Sequence, residues 1–164
     1  MDGNEKEKRR KDQSKQVSTF PVPFSLKEIQ ENINTNSDST GSKEKIIKQA
    51  FKSHSQGNTS KATKYYQYFI RKGFSDSRVF SNYGVILRDL GKFKEAEILQ
   101  HKAIKINPNF AQAHANLGSI FNDIGKFKEA EIATKKAIEL QPNISYFHYN
   151  LGNIMRCKGE LIKA

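Results

Sequence analysis

The sequence predicts an all-α protein, a solenoid of antiparallel helix pairs behind a disordered N-terminal tail. Three observations predict it. The octapeptide GKFKEAEI occurs at Gly91–Ile98 and again at Gly125–Ile132, 34 residues later. The likeness spreads beyond those residues, because Ser77–Phe110 and Ala111–Ile144 are identical at 17 of 34 aligned positions. Within each unit the apolar residues recur at spacings of three and four, the period of a helix rather than the alternation of a strand. Self-similarity at such a fixed period marks an array of stacked units.

Taken in order, residues 1–42 form the tail and linker. Met1–Ser18 is a run of both charge signs with almost no apolar residue, which predicts disorder. TFPVPF at Thr19–Phe24 is extended, since two prolines disfavour helix before them. Ser25 to Glu28 has the spacing of a capping box, opening a short helix over 25–33. NTNSDSTGS at Asn34–Ser42 reads as a linker. The array then occupies 43–164: a degenerate unit at 43–76, full units at 77–110 and 111–144, and a truncated one at 145–164.

In each full unit Gly91 or Gly125 supplies the left-handed residue that ends a first helix, and Pro108 or Pro142 follows the second. Gly84, Gly118, Ala96 and Ala130 are small enough to let the two helices approach closely, with aromatic residues filling the space around them. In the degenerate unit Ala50 stands for the glycine, Gly57 ends the first helix, and Gly73-Phe74 falls where proline would be.

These residues resemble the tetratricopeptide repeat (TPR): Leu or Tyr followed by Gly early in helix A, Gly-x-Phe-x-Glu-Ala at the junction, Ala-Ile late in helix B and a closing Pro. The resemblance implies a right-handed α-solenoid. The pieces TFPVPFSLKEIQENI, QAFKSHSQGN, KYYQYFI and VFSNYGVIL are also similar to the N-terminal part of marine cyanobacterial TPR proteins, some of which carry a C-terminal transferase domain.

The resemblance further implies that helix A residues line a concave groove. Its sixth position is Asn82, Asn116 and Asn150, with Lys48 in the degenerate unit. A side-chain amide both donates and accepts, which suits an extended peptide backbone, and the row resembles the asparagine ladder of the O-linked N-acetylglucosamine transferases. Arg78, Arg88, Asp89, Asn122, Asp123, Tyr149, Asn153 and Arg156 are the other candidate peptide-binding residues, with Ser81, Ser119 and Tyr146 beside them. This set lacks the Lys/Asn arrangement by which chaperone-binding members clamp a C-terminal carboxylate.

Composition bounds the remaining possibilities. The net charge of +11 favours acidic partners, and the single cysteine, Cys157, allows no internal disulfide. No apolar run reaches the length of a membrane span, and the N-terminus lacks the apolar region of a secretory signal, so a cytoplasmic chain without membrane contact is expected.

KEKRRK in the tail lacks interleaved aromatics, and the octapeptide lysines alternate with glutamates, so nucleic acid is not the expected partner. His114 and His148 sit one repeat apart, too far for a shared metal, and read as packing. With no nucleophile–base pair, phosphate loop or metal set, the chain reads as a non-enzyme without a cofactor.

The expected function is a protein-interaction scaffold holding an extended peptide or a partner helix. The alternative is the substrate-recruiting arm of a truncated glycosyl-, sulfo- or methyltransferase. The last copy of the motif, GELIKA at Gly159–Ala164, breaks off early in a helix B. That predicts a final helix A over Tyr146–Cys157 with an uncovered apolar face, prone to fraying or self-association.

Overall fold

The computed structural model describes residues 39–163. The short helix expected over 25–33 lies outside them. Seven helices and no strand are found among the described residues: α1 (Ser39–Ser55), α2 (Thr59–Arg71), α3 (Ser77–Asp89), α4 (Phe93–Ile106), α5 (Ala111–Asp123), α6 (Phe127–Leu140) and α7 (Ser145–Lys163). They pack as antiparallel pairs, α1 with α2, α3 with α4 and α5 with α6, and each pair stacks on the next into a right-handed solenoid.

Local chemistry sets the corners. Gly57, Gly91 and Gly125 take φ of 72°, 72° and 78° at the ends of α1, α3 and α5, where a side chain would be strained. Around Gly91, the Lys92 N–H reaches the Leu87 carbonyl at 2.8 Å and the Gly91 N–H the Arg88 carbonyl at 2.9 Å, which satisfies the last turn of α3. α2 ends on Gly73, also left-handed at φ 74°, where later units use proline. At helix starts, Asp76 Oδ1 accepts from the Arg78 N–H at 2.9 Å and Asn58 Oδ1 from the Lys61 N–H at 3.0 Å.

The paired helices touch through small residues. A Cβ built on Gly84 would come within 2.5 Å of Gln100 Nε2, and one on Gly118 would collide with Thr134 Oγ1. Around these contacts Phe80, Tyr83 and Leu87 of α3, Ala96, Leu99 and Ala103 of α4, and their counterparts Leu117, Phe121, Ala130, Ala133 and Ala137 are buried. The Gln100 amide donates to the Ser81 carbonyl at 3.0 Å, which ties α4 to α3 where the missing side chain leaves room.

Two helices depart from the reading of the sequence. α1 begins at Ser39, inside the stretch read as linker. Ser, Thr and Gly cost the helix only about 0.5–1 kcal/mol each. Propagation from a segment anchored by buried Ile46, Ile47 and Ala50 offsets that. At the other end, α7 does not stop near Cys157 but runs unbroken through Gly159 to Lys163.

Gly159 is helical there, unlike Gly91 and Gly125. The left-handed corner is rewarded in the other units by a second helix that packs back on the first. Without one among the described residues, continuing the backbone ladder is favoured, at the modest cost of a helical glycine. Lys158 Nζ bonds Glu131 of α6 at 2.7 Å and holds this extension to the preceding pair.

Candidate functional site

Three first helices, α3, α5 and α7, bring part of the sequence-predicted set together. Arg88, Ser119, Asn122, Asp123, Tyr146, Tyr149, Asn150, Asn153 and Ile154 line one cleft of about 330 Å³. Arg88 and Asp123 are 35 residues apart, yet Nε of the guanidinium reaches the carboxylate at 2.5 Å across the boundary between units. Among the described residues, the two charged side chains lining the cleft therefore neutralise each other. Tyr146 and Tyr149 are 44% and 66% exposed, so two rings stand partly open to solvent beside this pair, Tyr146 with its ring tilted against Phe147. A carbonyl oxygen in the wall, Asn122 Oδ1, is buried without a hydrogen-bond partner.

The asparagine row is built differently from an open ladder. Asn116 and Asn150 are 6% and 9% exposed. The Asn116 amide donates to Ser81 Oγ at 3.0 Å and the Asn150 amide to Ser119 Oγ at 3.1 Å, so each ties its unit to the preceding one. Asn116 Oδ1 accepts from Gln112 Nε2 at 3.0 Å. Asn82 instead stands near the Tyr66 hydroxyl, in a cluster where His54 Nδ1 lies 3.0 Å from the same hydroxyl and the Tyr83 ring stands 5.9 Å away. Burial pushes the Tyr66 hydroxyl up to about 12, against the opposing pull of Asn82. Burial also holds His54 below its ordinary value, with the nearby Asp89 carboxylate opposing it.

The remaining candidates lie elsewhere. The Arg78 guanidinium bonds Asp76 at 2.7 Å and covers the Phe51 ring at 5.6 Å, at the α1 end of the array. Asp89 is exposed near His54, and Arg156 is exposed outside the cleft lining. Ile154, which the sequence reading did not select, lines the cleft, and its place two turns along α7 from Phe147 was the available signal. His114 Nε2 and His148 Nε2 each bond a proline carbonyl six residues earlier, Pro108 at 2.9 Å and Pro142 at 2.6 Å, which accounts for their shared position.

A second, larger hollow of about 490 Å³ lies between α4 and α6, over Leu117 and Phe121 of α5. Its walls are mostly apolar, with His101, His114, Glu129, Lys136 and Glu139 among them, and they offer no side-chain amide to match a peptide backbone. Among the described residues, no group of three His, Cys, Asp or Glu side chains is arranged to hold a metal, and no helix is long and apolar enough to cross a membrane.

Family models of the tetratricopeptide repeat match residues 77–110, 111–144 and 133–164, together more than half of the chain. The chain belongs to the tetratricopeptide repeat family. No curated protein matches it. Its solenoid is similar to the first TPR domain of Spaghetti (RPAP3) bound to the HSP90 peptide SRMEEVD, at 21% identity and a TM-score of 0.68, covering 76% of this chain and 98% of that one. It is similar also to the TPR2B domain of yeast Sti1 in its pHsp70 complex, at 19% identity and TM-score 0.63, covering 70% and 96%. An O-GlcNAc transferase of Thermobaculum terrenum matches at 18% identity and TM-score 0.69, covering 73% of this chain and 23% of that enzyme. At these identities the likeness carries the fold.

Proposed function

We propose that this TPR array is a protein-interaction scaffold that holds an extended, largely uncharged segment of a partner in the cleft between α3, α5 and α7. The observation that carries the reading is the convergence of two exposed tyrosines with Asn122 and Asn153 beside a charge pair that is already neutralised. Aromatic faces supply contact area at low entropic cost, and amides match a peptide backbone. Peptides in the structures of related TPR domains, SRMEEVD among them, support the binding mode. Their acidic tails suit this cleft less well, because Asp123 occupies Arg88. Within the asparagine row, Asn116 and Asn150 serve chiefly to fix the units, and Asn122 and Asn153 are the amides left for a ligand.

The test is a double variant, Tyr149→Ala with Asn153→Ala, screened by affinity selection from a random peptide library and titration of the selected peptides. Loss of about tenfold or more in affinity, with an unchanged melting curve, is the expected result. Asn116→Ala is the contrasting control, expected to lower stability by about 1 kcal/mol through the unpaired Ser81 hydroxyl while peptide contacts persist. If the double variant binds selected peptides as the parent does, the cleft is not the site. A second reading, a substrate-recruiting arm of a transferase, is favoured by the likeness to the Thermobaculum enzyme; it places a substrate protein in the same cleft. A catalytic frame continuous with these repeats in the gene would support it. A cytoplasmic setting suits the single thiol, Cys157.

A further inference from the structure

Each first helix in the array has a face that seats against the preceding pair. On α7 that face is Phe147, packed among Ala111, Ala115 and Ala137, and Ile154, packed among Leu117, Phe121 and Ala130. The 34-residue register gives the same two places to Val79 and Ile86 in α3 and to Ala113 and Ile120 in α5, all of them buried. In α1 the two places are Lys45 and Lys52, both exposed. Lys48 lies between them, so the three follow the i, i+3, i+7 spacing of one helical stripe about 10 Å long.

Simple solvation of this face does not account for the pattern. Elsewhere the surface mixes signs, with Lys135 on Glu131 and Lys136 on Glu139. Lys45, Lys48 and Lys52 engage no carboxylate among the described residues, and Lys48 with Lys52 is a like-charge pair at i, i+4, which destabilises a helix. The charge is concentrated in this unit. Residues 43–76 carry eight basic and two acidic side chains, residues 77–110 six and three, and residues 111–144 four of each. The N-terminal 42 residues, despite KEKRRK, hold seven basic and seven acidic side chains and contribute no net charge.

We infer that the outer face of α1 is a docking seat for an acidic α-helix of a partner protein. The seat stands at the register place that packs against a helix everywhere else in the array, and its charge selects one bearing carboxylates. A polyanion such as DNA fits less well. The rings of this unit are engaged: Tyr65, Tyr66, Tyr68 and Phe69 are buried, Phe51 lies under Arg78, and the half-buried Phe74 packs on Phe69 at 5.4 Å, which leaves little for base stacking. The lysines keep the spacing of one helix face, which a glutamate-bearing helix laid against α1 matches residue for residue.

The experiment titrates the full chain against three probes by fluorescence anisotropy. They are a synthetic amphipathic helix with glutamates at i, i+3 and i+7, its glutamine counterpart, and a mixed-sequence DNA duplex. Binding of the glutamate helix is expected, with about tenfold or greater loss for the triple variant Lys45→Glu, Lys48→Glu, Lys52→Glu, and weakening as salt rises. The triple glutamine variant, which removes charge without reversing it, is expected to lose binding to a smaller degree, and melting curves establish that both variants fold. The Tyr149→Ala, Asn153→Ala variant is expected to leave this affinity unchanged, which separates the α1 seat from the cleft. Undiminished binding by the triple glutamate variant, equal or tighter binding of the duplex, or no binding of the glutamate helix would each overturn the proposal.

Discussion

α1 and α7 are both first helices of a repeat, and among the described residues each leaves one of its two packing faces open. On α1 the open face is the one that would meet a preceding pair, and it carries Lys45 and Lys52. On α7 it is the face that would meet a following second helix, and it carries Leu151, Gly152 and Met155, the last 57% exposed. The closed versions of both faces are visible one unit away, in Val79 and Ile86 and in Leu117, Gly118 and Phe121. A repeat is therefore not one packing unit but two half-interfaces, and a sequence adjusts each half to what it meets. The α1 half is charged and the α7 half retains the apolar lettering of an internal repeat.

The largest test of that division is at the closed half of α7. Phe147→Ala removes a fully buried ring and is expected to cost about 3–5 kcal/mol in the local stability of α7. Hydrogen exchange would show α7 amides losing protection while α1 and α2 keep theirs. Equal loss throughout would mean that the array melts as one block. A sharper comparison uses the same register position twice. Gly118→Val faces Thr134 and is expected to destabilise by about 1–3 kcal/mol, whereas a Cβ on Gly152 meets nothing within 4 Å. Gly152→Ala is thus expected to be neutral or to stabilise by up to about 1 kcal/mol, the difference between the two residues in a helix. Destabilisation by Gly152→Ala in urea melts would show that the open half is covered in solution.

The smallest effect concerns pH. The Glu131 carboxylate accepts from Lys135 and Lys158, both at 2.7 Å, and these lysines hold it down to about 2, below the ordinary 4.5. Its native value lies below its unfolded one, so its contribution is complete above about 4.5 and is lost as pH falls toward 2. Hydrogen exchange in the last turns of α7 is expected to accelerate through that window, and Glu131→Gln to flatten the dependence. An identical pH profile in the variant would remove Glu131 from the attachment of α7.

Much of the fold was legible because its rules are local. A left-handed glycine, a closing proline and a small residue opposite a helix leave marks at fixed spacing, and two units with 17 identities make the marks unmistakable. The cleft was legible only in part. Arg88 and Asp123 were both selectable as first-helix residues, but their pairing crosses units and depends on how one pair is rotated on the next. The engagement of the asparagines was not legible, because the serines that occupy them stand at different places in their units, Ser81 at the fifth and Ser119 at the ninth. The course of α7 past Gly159 was misjudged for a related reason: the motif's glycine permits a corner without compelling one, and Gly159 stays helical.

The Arg88–Asp123 pair has a consequence for what the cleft ignores. A carboxylate or phosphate from solution that sought Arg88 would compete with a group tethered to the same molecule, whose effective concentration is in the millimolar range or above. In the cleft we propose as the binding site, that competition favours ligands that recognise rings and amides over those that seek a cation.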